Sequence, residues 1–243
     1  MKNKKETWNK LYSNTEFDEI VRRIDYGLEK PERLYGYYTW LNILKKNGLK
    51  FKKSLEIGSG TGSYSLILKK LGIVDEVYLL DWSEESLDMA KKLFKKYNLK
   101  GNFIKGDVRK LPFKEKEFDL VLSGGLLEHF SEEDTLKILI EEKRVSKYIL
   151  TQIPVNNLSY WVIRIIITIF RKGWPFGFEK PVSINKNLEM QEKAGIKILN
   201  KNFHDTFTAL KYNYGSKKNI NFNFEKNFLN KLCRNEIAIL GKI

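Results

Sequence analysis

Apolar residues recur along this chain in two rhythms. In the first fifty residues they return every three or four positions: Trp8, Leu11 and Tyr12, then Ile20, Val21 and Ile24. That spacing gathers them on one face of a helix. A second amphipathic stretch runs from Leu34 to Leu44 and meets Asn47-Gly48, residues that stop helices. From Lys53 onward, short and almost continuous apolar runs alternate with longer amphipathic ones. The pattern predicts strands at 53–57, 75–81, 102–106, 118–123 and 147–153, with helices at 62–71, 83–97 and 132–143. After Pro154 come an apolar segment, a helix over Ser183–Ala194 ending at Gly195, a strand over Ile196–Phe203 and a last strand over Glu236–Gly241. Tyr212–Asn223, rich in Asn, Lys and Gly, reads as a loop. Alternating strands and helices build a parallel, doubly wound α/β sheet.

The first strand runs into Glu56-Ile57-Gly58-Ser59-Gly60-Thr61-Gly62-Ser63. Glycines at alternate positions between a strand and a helix let backbone approach a ligand closely. Asp81 ends the next apolar run, nineteen residues past Gly62. That is close to the separation at which a carboxylate meets ribose hydroxyls in nucleoside-binding α/β folds. A dinucleotide fingerprint would put its third glycine where Ser63 stands. Here that glycine comes one residue early, and Glu56 lies two residues before the first. A carboxylate there repels a pyrophosphate and suits an ammonium group. The turn fits a ligand with a nucleoside, an amine and no phosphate, and S-adenosylmethionine is such a ligand.

Three further motifs follow in order: Gly106-Asp107-Val108 with Leu111-Pro112-Phe113 after it, then Phe118-Asp119-Leu120-Val121, then Gly124-Gly125-Leu126-Leu127-Glu128-His129-Phe130. With Glu-x-Gly-x-Gly-x-Gly and the strand-end Asp81, the chain resembles the class I S-adenosylmethionine-dependent methyltransferases, most closely the branch acting on small molecules and lipids. The likeness is strong over residues 50–155 and weaker to the C-terminus. It implies a mostly parallel, seven-stranded Rossmann-like sheet with a late antiparallel strand, a helical N-terminal cap and an apolar helical insertion. The chain then divides into a cap (1–50), a cofactor-binding core (51–155), an insertion or lid (156–185) and the end of the sheet (186–243), all in one domain. In the family, N-terminal helices of this kind cover the cofactor and part of the substrate.

The resemblance also implies roles. Glu56, Gly58, Ser59, Gly60 and Gly62 would face the methionine moiety, and Asp81 would accept from both ribose hydroxyls. Trp82 would flank the adenine. Asp107 would accept from the adenine amino group with the Val108 N–H beside it, and Ser123 and Gly124 would lie near the sulfonium. Ser83, with Ser86 behind it, also reads as a helix N-cap, and Asp81 could belong to that cap.

Methyl transfer needs a base only where the acceptor is protonated. His129, just past the fourth strand, is the catalytic candidate, with Glu128 beside it to help bind the acceptor. The pair could equally orient its loop or cap the next helix. His204 is the second base candidate. Some quinone-pathway relatives bind a metal with an acidic residue three before the Glu of Glu-His. Gly125 holds that position, so no metal is expected. The Asn/Asp-Pro-Pro-Tyr element of amide and exocyclic-nitrogen methylation is absent, replaced by Ser123-Gly124-Gly125-Leu126. The single cysteine, Cys233, permits no intramolecular disulfide and reads as a packed residue rather than the nucleophile of a cytosine C5-methylase.

Charge and the apolar segment leave the acceptor open. Forty-four Lys and Arg against thirty Asp and Glu give +14, which suits nucleic acid or an anionic membrane, or marks a Lys-rich solvated surface. Residues 158–170 are apolar on almost every side and are followed by Arg171, Lys172 and Trp174. The segment is too short to span a bilayer. It reads as a substrate lid, as an interfacial helix touching an anionic membrane through 158–176, or as an oligomer contact. Met1–Glu6 lacks the apolar run of a signal peptide. A cytoplasmic enzyme is expected, membrane-associated under the second reading. Its acceptor would be small or lipid-like, with RNA or protein as the alternative, and a non-catalytic cofactor-binding module as a third reading.

Overall fold

The computed structural model describes residues 17–29, 37–170, 179–205 and 234–243. In chain order the elements are α1 (Phe17–Glu29), α2 (Tyr37–Lys46), β1 (Phe51–Ile57), α3 (Ser63–Lys70), β2 (Val74–Asp81), α4 (Glu84–Lys96), β3 (Asn102–Lys105), β4 (Phe118–Gly124), a 3-10 turn (Leu127–His129), α5 (Glu132–Val145), β5 (Ser146–Pro154), α6 (Leu158–Phe170), α7 (Ile184–Lys193), β6 (Lys197–Asp205) and β7 (Arg234–Lys242). The seven strands form one sheet in the order β3-β2-β1-β4-β5-β7-β6. Strands β3, β2, β1, β4 and β5 pair in parallel, and β7 runs antiparallel to both neighbours. The expected late antiparallel strand is β7. Each predicted strand and helix that falls within the described residues is present, with ends shifted by a few residues.

Local chemistry explains the element ends. Ser83 caps α4 by accepting from the Ser86 N–H, and Ser131 caps α5 by accepting from the Asp134 N–H. Acidic residues fill the first turn of each helix and basic ones the last, complementing the helix dipole. The central strands β1 and β4 are buried along most of their length, as strands covered on both faces must be. One apolar layer joins α1, α2, α3 and α4 to the sheet, and a second joins α5 and α7 to its other face.

Among the described residues, two helices precede β1, and they do different things. Only α2 reaches the strand ends: Trp40 stacks on Tyr64 of α3 with ring centroids 4.1 Å apart. A Cβ at Gly124 would lie 3.1 Å from the Trp40 ring and 3.0 Å from the Tyr64 ring. Helix α1 packs on the outer layer instead, where the Tyr97 hydroxyl donates to Asp25 at 2.7 Å. Tyr97 closes the far end of α4, so α1 braces the helical layer rather than the cofactor edge. Tyr212–Asn223, Cys233 and Arg171–Phe176 lie outside the described residues.

One buried group makes stability depend on pH. Glu142 of α5 is fully buried, and burial pushes its carboxyl up to about 8, the nearby Ser123 hydroxyl only partly opposing this. The folded state therefore holds a proton that the unfolded chain releases near pH 4. The favourable contribution is complete below that pH and is lost as pH rises through about 8. Glu142→Gln is expected to raise the melting temperature at pH 8.5 by about 4 °C, on the order of 1–2 kcal/mol. At pH 5 it should change little, and melts at the two pH values check this.

Candidate functional site

The glycine turn, the strand-end carboxylates and the Glu-His loop all lie at the C-terminal edge of the parallel strands, where open α/β sheets bind ligands. The turn is held from below. Asp81 at the end of β2 accepts from the Gly60 N–H through Oδ2 at 2.8 Å and from the Ser83 N–H through Oδ1 at 2.9 Å. Ser59 N–H donates to the Leu80 carbonyl and Gly62 N–H to the Ser59 carbonyl. Glu56, at the end of β1, accepts from the Ser65 N–H at the start of α3 at 2.9 Å.

These contacts decide what kind of ligand the turn suits. In a phosphate-binding loop the turn and helix N–H groups face an anion. Here two of them already face buried carboxylates. Burial pushes Glu56 up to about 7, and the neighbouring Asp81 charge adds to it. Burial also raises Asp81, against the hydrogen bonds from Ser83 and Gly60. A phosphate brought here would meet two carboxyl groups. A ligand carrying an ammonium and a sulfonium would be attracted by them, and each carboxylate oxygen keeps lone pairs for further donors. The donor set fits S-adenosylmethionine.

Close packing fixes the rest of the turn. Gly58 has φ +58°, and a Cβ there would stand 2.5 Å from the Leu126 side chain, so its glycine lets the β4 loop close over the turn. Gly62, at φ +68°, packs against Leu79. Ser59 is buried with its hydroxyl unpartnered among the described residues, as is the indole N–H of Trp40. Buried polar atoms without partners are uncommon and mark places where a ligand can supply one.

The structure places the other predicted residues unevenly. Trp82 is half-buried beside Asp81. Val108 is buried in the apolar layer of Leu55, Ile57 and Leu80. Asp107 is 51% exposed, and its carboxylate is held by Arg109, with Nε–Oδ1 at 3.0 Å and Nη2–Oδ2 at 2.7 Å. That ion pair, and the Arg109 N–H on the same carboxylate, hold Asp107 below the usual carboxylate range. An adenine amino group would have to share it with Arg109. Ser123 is buried on β4 beside Glu142, on the α5 side of the sheet. His129 is buried on the 3-10 turn, its Nε2 4.0 Å from Glu128 Oε1. The backbone of His204 pairs with Glu236 across β6 and β7.

Sequence reasoning missed the polar lining beyond β5. Gln152 of β5 donates through Nε2 to Glu236 of β7. The Tyr160 hydroxyl of α6 donates to Glu179 at 2.9 Å, and Arg164 donates to that hydroxyl. Among the described residues, no group of three or more His, Cys, Asp or Glu has the geometry to hold a metal ion.

Residues 55–148 match the family model of a methyltransferase domain. The chain is 32% identical over 131 residues to the demethylmenaquinone methyltransferase of Thermotoga maritima, covering 51% of this chain and 54% of that one. It is 30% identical over 152 residues to the demethylmenaquinone methyltransferase of Staphylococcus saprophyticus, covering 60% of each. The chain thus spans between half and two thirds of the length of these curated relatives. Magnesium protoporphyrin IX methyltransferase from Synechocystis, solved with bound SAH, shares the fold at a TM-score of 0.62 and 15% identity, over 98% of this chain and 93% of that one.

Proposed function

We propose that this chain, which belongs to the class I S-adenosylmethionine-dependent methyltransferases, moves a methyl group from that cofactor to a small-molecule or lipid-like acceptor at the C-terminal edge of its sheet. The observation that carries this reading is the pair of buried carboxylates, Glu56 and Asp81, seated on the N–H groups of the glycine turn and of α3. Glu56 would attract the ammonium of the cofactor, and Asp81 would accept from its ribose hydroxyls. Trp82 would cover the adenine, with Asp107 and Val108 at its edge. Gly58, Ser59, Gly60 and Gly62 would line the methionine and sulfonium side, with Ser123 near it through its backbone only, since its side chain faces Glu142.

When bound, the cofactor supplies an already activated methyl group. The chain's own work is then to bind, align and exclude water. Leu126 over Gly58, and Trp40 with Tyr64 over Gly124, would close the apolar walls of the site. His129 is the proposed base for an acceptor that must lose a proton, with Glu128 beside it.

Relatives named for demethylmenaquinone support an acceptor with lipid character. Incubating the chain with methyl-labelled cofactor and fractionated cell extract tests the reading. Label is expected in organic-extractable or small-metabolite fractions. Label in RNA or protein would favour the alternative, and cofactor binding without transfer to any fraction would favour an idle binding module.

A second reading concerns where the acceptor is met. Helix α6 buries Tyr160 and exposes Leu158, Trp161, Val162, Ile165, Ile166 and Ile169, which recur at helical spacing along one stripe. Among the described residues no helix is long and apolar enough to cross a membrane. An exposed apolar stripe followed by Arg171 and Lys172 is what an interfacial helix uses to lie on an anionic bilayer. The chain is expected to float with anionic phosphatidylglycerol vesicles, and Ile165→Asp with Ile169→Asp should cut flotation at least about fivefold, roughly 1 kcal/mol. Equal flotation of both proteins would sink the contact.

A further inference from the structure

We propose that the side-chain cluster where the Glu-His loop meets the ends of β5 and β7 binds the methyl acceptor through a cationic nitrogen, held by Glu128, Gln152 and Glu236. The proposal rests on the methyl-transfer reading above and narrows its substrate class to amines.

Three elements far apart in sequence converge there. Gly125 N–H donates to the Gln152 carbonyl at 3.0 Å, which fastens the Glu-His loop to the end of β5. Pro154 of β5 pairs with Glu236 of β7, which lets the Gln152 amide reach the Glu236 carboxylate. Lys180 N–H donates to the Glu128 carbonyl at 2.9 Å and draws Glu179 to the same loop. Tyr160 donates to Glu179, and Arg164 donates to the Tyr160 hydroxyl and the Glu179 carbonyl. Three carboxylates thus gather about one guanidinium and the His129 imidazole, in a chain whose net charge is +14.

Among the described residues, two atoms in this cluster lack partners. Glu128 is 3% exposed and its Oε2 accepts nothing; Gln152 is 5% exposed and its Oε1 accepts nothing. Gln152 is neutral, so its orphan oxygen is independent of the acidic charge. Gln152 Oε1 is an acceptor, so only a donor satisfies it, and Glu128 Oε2 is one too once a bound cation keeps the carboxyl ionised; leaving such groups buried and unpaired is costly. A hydroxyl brings one donor. A primary ammonium brings three, along with the positive charge that the carboxylates favour. Burial first, and then the Glu179 and Glu236 charges, hold the Glu128 carboxyl well above the usual range. It is therefore a stronger base than an exposed glutamate.

The chemistry balances. For an ammonium acceptor Glu128, rather than His129, takes the proton: the bound ammonium passes one proton to the Glu128 carboxylate, giving a neutral amine and a carboxylic acid. The freed nitrogen lone pair forms the N–CH3 bond. The S–CH3 bond breaks with its electron pair going to sulfur, so the positive charge moves from sulfonium to the methylated nitrogen.

The test is calorimetry on the full chain saturated with S-adenosylhomocysteine, titrated with n-octylammonium, n-octanol and n-octanoate, which differ only in head group. Octylammonium is expected to bind at least about tenfold more tightly than octanol, ~1.4 kcal/mol. Octanoate should be weakest. Glu128→Gln and Gln152→Met should each lower octylammonium affinity about tenfold, with octanol within about twofold and S-adenosylhomocysteine within about threefold. Equal binding of ammonium and alcohol, or variants that weaken all three probes alike, would overturn the proposal. If Glu128→Gln fails to fold, its lost S-adenosylhomocysteine affinity reveals it and Gln152→Met carries the test. A wild-type chain that does not bind S-adenosylhomocysteine refutes the methyl-transfer reading itself. One that binds it without preferring the ammonium refutes only the amine.

Discussion

Asp81→Ala is expected to lower cofactor affinity at least about 100-fold, ~2.7 kcal/mol, and to reduce the melting temperature by about 5–10 °C. The reason lies in what the carboxylate does before any ligand arrives. One oxygen holds the Gly60 N–H and the other the Ser83 N–H, and Asp81 itself is 5% exposed. Removing it leaves two backbone donors buried without partners, at about 1–3 kcal/mol each. The glycine turn then loses its tie to β2, and the helix beyond Ser83 loses part of its entry. The proposed acceptor for the ribose hydroxyls goes at the same time. Asp81→Asn separates these roles. The amide oxygen can keep one backbone donor, but its NH2 must face the other, donor against donor. The asparagine chain should melt closer to wild type than the alanine chain while still binding the cofactor at least about tenfold more weakly. Removing the Asp81 charge should also move Glu56 down from about 7, because that charge helps hold it there. Calorimetry with S-adenosylmethionine and a melt of each variant decide it. Unchanged affinity in the alanine chain would mean that Asp81 only closes the turn.

Much of this fold was legible because buried strands and amphipathic helices impose different hydrophobic periods, and caps such as Ser83 and Ser131 carry their own signals. Asp81 was legible because it ends an apolar run, and Glu56 because it interrupts one just before the glycines. The Asp107 pairing was less visible. Its sequence position says strand end, yet Arg109 two residues on takes the carboxylate, and a short Asp-x-Arg spacing could have signalled that competition. The partition of α1 from α2 was not legible, since both are amphipathic. Their placement depends on Tyr97 meeting Asp25 and on Trp40 meeting Tyr64. The Gln152–Glu236 pair was hidden for a topological reason. Gln152 and Glu236 are 84 residues apart. They meet only because β7 inserts antiparallel beside β5 in one register, and a shift of one residue would turn Glu236 to the other face.

Gly62→Ala is the other substitution with a large expected effect, and it tests why the third glycine comes one residue early. Gly62 stands at φ +68° immediately before α3. A left-handed backbone costs a residue with a Cβ roughly 1–2 kcal/mol. That Cβ would also lie 2.2 Å from Leu79 Cδ2, with Ala90 and Phe94 at 3.4 Å. Leu79 is fully buried, so it has little room to yield, and overpacking of this kind costs about 1–3 kcal/mol. The sum, about 2–5 kcal/mol, should lower the melting temperature by roughly 5–15 °C. Gly72 provides the control. It has φ +65°, yet a Cβ there meets nothing within 4 Å. Gly72→Ala should cost only the backbone part, roughly 1–2 kcal/mol. The excess at Gly62 then measures how tightly α3 is pressed onto β2. A double-mutant cycle with Leu79→Ala should recover about 1–2 kcal/mol of that excess as coupling, while the backbone part remains. Because the turn that leads into Gly62 is the one Asp81 and Glu56 hold, a Gly62→Ala chain that still folds should bind S-adenosylmethionine at least about tenfold more weakly. If instead Gly62→Ala and Gly72→Ala cost the same, the close approach of α3 to β2 is not what the early glycine provides.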